Sequence, residues 1–429
     1  MRHEPIGKKL FIQNRKAFRA RLEARALAVF HANDIMPTSA DGTMPFVQDS
    51  DIFYLTGVNQ EDTILLIAPD APEERFREVL FVKRTNEHIK VWEGEKLTKE
   101  RAAEVSGIET VLWFDEFMGI FPRLVFQAKY LYLNTNEHTR ATAAVQTRND
   151  RFIEECKQRF PLHRYERIAP IMHEIRAIKS DREVELMQKA CDITEKGFRR
   201  LLSFIKPGVK EYEIEAELMH EFLRNGSRGF SYEPILASGA DSCVLHYNKN
   251  DKACQDGDLI LMDFGAEYAH YHSDLSRTVP VNGRFTKRQR EVYDVVLKIQ
   301  RAAMKLLNSS HTLDSYHKAV GELATEECLK LGILTQEEVK NQSASRPAYK
   351  KYFMHGTSHY IGLNTHDFGR FDRPIQKGMA FTVEPGIYLP EEGFGIRLEN
   401  DIIVTENGYL DLMRNIPIEA EEIEDLMNA

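Results

Sequence analysis

The stretch Leu259-Ile260-Leu261-Met262-Asp263-Phe264-Gly265 constrains this chain more than any other. It reads as a buried strand that ends in a carboxylate. Eleven residues after Asp263 comes Asp274, in His272-Ser273-Asp274-Leu275-Ser276-Arg277-Thr278. If the two segments form a hairpin turning between Tyr268 and Ala269, residues 263 and 274 face each other, with Cβ atoms about 4.5–5.5 Å apart. Two carboxylates held that close repel unless one is protonated or cations lie between them. Two unrelated aspartates flanking a turn give the same short pattern by accident, so the pair needs support from elsewhere in the chain.

Three further segments supply it. Met354-His355-Gly356-Thr357-Ser358-His359-Tyr360-Ile361-Gly362-Leu363-Asn364-Thr365-His366-Asp367 places three histidines within twelve residues of a chain that holds fifteen. Any one of them is better explained as a satisfied core or surface residue. Three together, with glycines that allow tight turns, point to a site, since neutral imidazole is a good ligand for transition metals. Phe381-Thr382-Val383-Glu384-Pro385-Gly386 is a second apolar strand ending in a carboxylate, where Pro385 stops the pairing. In Gly395-Ile396-Arg397-Leu398-Glu399-Asn400-Asp401, strand alternation sets Arg397 and Glu399 on one face and Ile396 and Leu398 on the other.

Taken together, Asp263, Asp274, His359, Glu384 and Glu399 make a ligand set of four carboxylates and one imidazole. Two divalent cations balance that charge, and a bridging hydroxide is then stabilised at neutral pH. Carboxylate-rich ligation suits Mn²⁺, Co²⁺ or Zn²⁺ better than copper. Paired metals about 3.5–4 Å apart activate a water and polarise a carbonyl at once.

The rest of the chain frames this site. At 429 residues two or three domains are expected, with a core that needs no disulfides. Apolar residues at 42% and charged residues at 29% exclude a disordered chain or a fibre. No apolar run approaches the ~20 residues of a membrane span. The net charge, 57 − 66 = −9, offers no basic footprint for nucleic acid. The N-terminus lacks the apolar region of a secretory signal. Five widely spaced cysteines without a CxxC pair read as inert thiols in a reducing compartment, so a cytoplasmic protein is expected.

Leu22, Ala26, Val29 and Phe30 make one apolar face and predict a helix from about Lys8 to His31. Short β-rich runs (residues 63–68, 79–82 and 130–133) alternate with helical patterns and predict an α/β domain over residues 1–170. Ser180-Asp181-Arg182-Glu183 is a capping box that opens a helix, and strands then alternate with helices through a second domain, residues 171–429. No G-x-x-x-x-G-K-[ST] occurs, Gly393-Phe394-Gly395 lacks the third glycine of a dinucleotide fingerprint, and no G-x-S-x-G elbow is present. His173-Glu174 and His220-Glu221 are halves of HExxH without the second histidine.

At these residues the sequence resembles the M24 "pita-bread" metallopeptidases, which include methionine aminopeptidase, prolidase and aminopeptidase P. Asp263, Asp274, His359, Glu384 and Glu399 match the five family ligands in family order. His246, His355 and His366 match further histidines of the prolidase and aminopeptidase P branch. Gln48-Asp49-Ser50-Asp51-Ile52-Phe53-Tyr54-Leu55-Thr56-Gly57 and Trp92-Glu93-Gly94 resemble motifs of the creatinase-type domain that precedes the catalytic one in that branch. The resemblance implies an α/β (α+β) fold, with a pita-bread catalytic domain behind a smaller α/β N-terminal domain. It implies removal of the first residue from Xaa-Pro peptides, with an Xaa-Pro dipeptidase (prolidase) as the near alternative. A non-hydrolytic creatinase-like or scaffold relative is weighted lower, because such members lose ligands. By carry-over, Glu384 binds metal and moves a proton from the attacking water to the leaving ring nitrogen. His246 stabilises the tetrahedral intermediate, His355 and His366 line the proline subsite, and Arg397 steadies the metal-binding carboxylates. Family members are commonly dimers or tetramers, so a homodimer or homotetramer is expected, with no nucleic-acid or membrane partner.

Overall fold

The computed structural model describes residues 2–141 and 144–429, which form two compact units: Pro5–Arg176, and Ala177–Ala429 with the N-terminal tip before Pro5. Among the described residues no helix is long and apolar enough to cross a membrane.

The first unit is built on a six-stranded mixed sheet of β1 (Ala26–His31), β2 (Ile64–Ile67), β3 (Glu78–Val82), β4 (Thr110–Trp113), β5 (Tyr130–Leu133) and β6 (Arg164–Arg167). Their order across the sheet is β4-β3-β2-β1-β5-β6. Helices flank it, and Leu27, Val29, Leu66, Phe81, Phe117, Phe121 and Phe152 belong to one core cluster. The single helix expected from Lys8 to His31 is not formed: it ends at Arg19, and Ala26–His31 is strand β1. All six residues of β1 are buried because it lies between β2 and β5. A strand covered on both faces has no alternating pattern, so its apolar spacing mimics a helical face.

Among the described residues the second unit has only antiparallel strand pairs. One sheet runs β11-β8-β7, from β7 (Ile235–Ser238), β8 (Leu259–Phe264) and β11 (Leu275–Pro280), and the hairpin of β9 (Glu267–Tyr268) and β10 (Tyr271–His272) extends its end. A second runs β12-β15-β16, from β12 (Ala380–Val383), β15 (Asn400–Thr405) and β16 (Gly408–Asp411), while β13 (Gly386–Leu389) pairs with β14 (Phe394–Arg397). The helix Asp181–Phe204 opens on the expected capping box, with Ser180 Oγ 2.8 Å from Glu183 Oε2. The helix after Thr286 opens on its own box with Gln289.

The hairpin forms with a different register from the one expected. Asp263 pairs with Ser276, and Asp274, one step before Leu275, falls beside Gly265. The turn sits at Ala269 and His270, with φ +54° and +68°, one residue later than the sequence suggested. Such two-residue turns are usually signalled by Asn or Gly, and Ala-His gives no such signal. Asp263 and Asp274 remain on one face as diagonal neighbours, since a two-residue slip preserves alternation. Gly265 makes the approach possible: a Cβ there would lie 1.8 Å from the Ser273 carbonyl oxygen.

Candidate metal centre

Four strand ends and one loop deliver the site. Asp263 lies near the end of β8, Asp274 just before β11, Glu384 just after β12, and Glu399 between β14 and β15. His359 comes from the loop before β12 and is held there by Thr382, whose Oγ1 accepts its backbone N–H at 3.1 Å. His359 Nε2 stands 3.4 Å from Asp274 Oδ2 and 3.5 Å from Glu384 Oε1. Its Nδ1 is 3.0 Å from the Tyr360 carbonyl oxygen, so Nδ1 carries a proton and Nε2 is the nitrogen turned to the carboxylates. Asp274, His359 and Glu399 each present a ligand atom within 4.8 Å of the others.

Hydrogen bonds behind the carboxylates hold them in place. Ser276 Oγ donates to Glu399 Oε2 at 2.7 Å and itself accepts from Arg397 Nε at 2.9 Å. Arg397 Nη2 donates to Asp263 Oδ2 at 2.6 Å. Arg277, fully buried, donates to the backbone oxygen of Glu399 at 2.7 Å and to Asn400 Oδ1 at 2.9 Å. Asp401 Oδ2 accepts the backbone N–H of Asp274 at 2.9 Å. The Tyr232 hydroxyl lies 2.5 Å from Asp263 Oδ1 and also against Asp274 Oδ1. One phenol proton serves one of two oxygens, so the second close contact asks for another proton or a cation.

The electrostatics agree. Burial pushes Glu384 up to about 7, against the pull of His359. Burial, with Asp274 and Glu384 beside it, holds Glu399 well above the usual carboxylate range. Asp263 is raised by burial despite Arg397. His359 would be lowered by burial alone, but its contacts with Asp274 and Glu384 raise it. Asp274 alone is lowered: burial would raise it, but its contact with His359 outweighs that. A buried cluster in which three of four carboxylates hold on to protons is short of positive charge, and the donor set of carboxylates with one imidazole fits divalent cations.

The remaining candidates fall at different depths. His355 Nδ1 lies 3.6 Å from Glu384 Oε2 and 2.7 Å from the Gly356 carbonyl. Its Nε2 is 2.8 Å from the Tyr388 hydroxyl, which accepts from Arg397 Nη1 at 2.8 Å and so donates its single proton to His355. That chain leaves His355 neutral with its proton on Nδ1, and burial, with Arg397 next, holds its pKa at about 3. The exposed His366 sets its ring edge-on to His359, with centroids 4.5 Å apart. His246 stands on an exposed turn after Gly239–Cys243, and its positive form would disfavour charge on His355. Sequence reasoning missed Tyr232, Tyr388, Ser276 and Asp401. Ser276 was within reach of it, because strand alternation places 276 on the face of 274. Tyr232, 31 residues from Asp263, follows no spacing rule.

Comparisons with known proteins bear on this geometry. Residues 185–406 match the profile described as Metallopeptidase family M24, and residues 11–132 match that of Aminopeptidase P, N-terminal domain. A Xaa-Pro aminopeptidase of Haemophilus influenzae is 34% identical, over 99% of this chain and 98% of its own length. The structure of Pseudomonas aeruginosa aminopeptidase PepP matches with a TM-score of 0.90 at 30% identity, covering 100% of this chain and 99% of that one. Zinc-substituted Escherichia coli aminopeptidase P in complex with product matches with a TM-score of 0.88 at 32% identity, covering 99% of each chain.

Proposed function

The chain belongs to metallopeptidase family M24, and on that premise we propose that it is a metallo-aminopeptidase that removes the N-terminal residue from peptides with proline in the second position. We assign residues 1–170 to the creatinase-type N-terminal domain and 171–429 to the pita-bread catalytic domain. Asp263, Asp274, His359, Glu384 and Glu399 would hold two divalent cations, with Mn²⁺ preferred over Co²⁺ or Zn²⁺. The observation that carries the reading is the convergence of four carboxylates and one imidazole on one buried point, in a chain that matches Xaa-Pro aminopeptidases end to end.

The Xaa-Pro bond is a tertiary amide with no N–H to grip. A site that handles the carbonyl and the ring nitrogen is therefore sufficient. Bound divalent cations supply a water of lowered pKa and polarise the scissile carbonyl. Glu384, 3.6 Å from His355 at the edge of the ligand set, is placed to take a proton from the attacking water and give it to the proline nitrogen as the C–N bond breaks. His246, exposed and free to turn toward substrate, donates to the oxygen that gains charge when the carbonyl becomes tetrahedral. His355, neutral, and His366 flank the proline ring. Arg397 orients Asp263 and favours its ionised form. The protein acts in the cytoplasm as a homodimer or homotetramer.

The test is hydrolysis by metal-stripped protein reloaded with Mn²⁺. Release of the first residue from an Xaa-Pro-Yaa peptide is the expected result. Cleavage of Xaa-Pro dipeptides alone would change the assignment to prolidase. No cleavage of either with any divalent metal would overturn the reading.

A further inference from the structure

Lys179 touches two of the segments that build the site. Its backbone N–H donates to the Gly378 carbonyl at 2.8 Å, and Ile178 bridges Met379, at the start of the run that ends in Glu384. Its ammonium donates to Asp367 Oδ2 at 2.9 Å, with both side chains only 1% exposed. Asp367 directly follows His366, and its N–H closes the loop by donating to the Tyr360 carbonyl at 2.8 Å. Gly362, inside that loop, is pressed onto the ion pair: a Cβ there would lie 2.4 Å from Asp367 Oδ2 and 2.7 Å from Lys179 Nζ. The Gly362 carbonyl accepts from His272 N at 2.8 Å, two residues before Asp274.

A dry ion pair is a poor source of stability, because desolvation offsets its attraction and apolar residues of similar size would serve as well. What a directed ammonium–carboxylate contact adds is geometry. Here it fixes the loop that carries His359 at its start and His366 next to its end, relative to the strand that delivers Glu384. We propose that Lys179 and Asp367 are a positioning pair that sets the place of His366 and, through it, the proline subsite. The proposal rests on the function proposed above. Neither side chain touches reacting atoms.

The experiment uses the full chain loaded with Mn²⁺ and compares Lys179→Met combined with Asp367→Asn against the parent protein, each with and without His366→Ala. The double variant removes both charges of the pair at once, and the buried Glu183, which Lys179 also favours in its charged form, keeps its hydrogen bonds from Ser180 and Tyr271. With folding verified by a cooperative melt, its kcat/KM on an Xaa-Pro-Yaa peptide is expected to fall about 10- to 100-fold, the range seen when residues that orient site groups are lost, mainly through KM. His366→Ala is expected to cost much less in that background than in the parent, because residues acting as a unit are non-additive. Wild-type kcat/KM in a folded double variant, or an equal cost of His366→Ala in both backgrounds, would overturn the proposal. If the double variant does not fold, Asp367→Glu keeps both charges and moves the contact by one methylene, with the same rise in KM expected and an unchanged KM counting against the pair. If the parent protein cleaves nothing, the functional reading fails by itself. The pair is then judged by the His366 ring signal in histidine-labelled NMR, which must shift in the double variant for the proposal to stand.

Discussion

Arg397 and Asp263 form a 2.6 Å ion pair within the carboxylate cluster, and the same guanidinium donates to the tyrosine hydroxyl that holds His355. One side chain therefore governs both a candidate metal ligand and the protonation state of a candidate substrate-contacting histidine. Arg397→Met leaves Asp263 buried without its cation and Tyr388 without its donor. We expect Mn²⁺ affinity and kcat/KM each to fall about 10- to 100-fold. Arg397→Lys should recover only part of this, because an ammonium cannot reproduce three directed contacts. Unchanged Mn²⁺ affinity by calorimetry would contradict this role.

Glu384→Gln keeps the shape but removes both the proton acceptor and one carboxylate of the candidate ligand set, so it is compared with the parent at equal, measured Mn²⁺ content. A loss of about 10²- to 10⁴-fold in kcat is expected, the usual worth of a general base. KM should move far less. Full activity in this variant would remove Glu384 from the proton transfer.

The metal-free protein should respond to pH in a particular direction. Glu384 at about 7 and Glu399 well above the usual range both exceed the ordinary 4.5. Between those values the folded chain binds more protons than the unfolded one. This contribution is then fully present below about pH 4.5 and is lost as pH rises through the folded values. Divalent cations replace those protons. A chelator should therefore lower the melting temperature more at pH 8 than at pH 5. An equal drop at both would show that these carboxylates are not short of charge.

In the first unit the sign is opposite. Burial, with Arg148 and Arg151 nearby, holds His31 at about 3 against an ordinary 6.5. Between those values the unfolded chain binds the extra proton, so stability falls as pH falls through that window. His31→Phe removes the group from a pocket already lined by Phe117 and Phe152. It should flatten the acid side of the stability curve by at most about 1.4 kcal/mol per pH unit. An unchanged acid slope in chemical denaturation would show that another group sets it.

Legibility followed local chemistry. The capping box at Ser180 marked a helix start because a cap is a contact over three residues. β8 and β12 were legible because an apolar run broken by a carboxylate is local too. β1 was not, because burial on both faces erases its period. The hairpin register was off because Ala269-His270 adopts a left-handed turn with no asparagine or glycine to announce it. The residues behind the cluster, Tyr232 and Asp401 among them, are joined to it only by folding. Tyr388 and Ser276 sit on strands whose alternation shows a face but not what that face meets.

The candidate ligands run from position 263 to position 399, a span of 136 residues. No single hairpin holds the whole set: β8 and β11 form one around Asp263 and Asp274, while Glu384 and Glu399 come from strands made much later in the chain. At ribosomal speeds of about 5–20 residues per second, roughly 7 to 27 s separate the emergence of Asp263 from that of Glu399. During that interval Asp263 and Asp274 are already in the polypeptide while the other candidate ligands are still being made. Maturation of such a centre is thus ordered by translation: the cations can be captured as a complete set only after the last sheet closes, and a nascent chain stalled before Glu399 would leave the ribosome with an acidic pair and nothing to complete it.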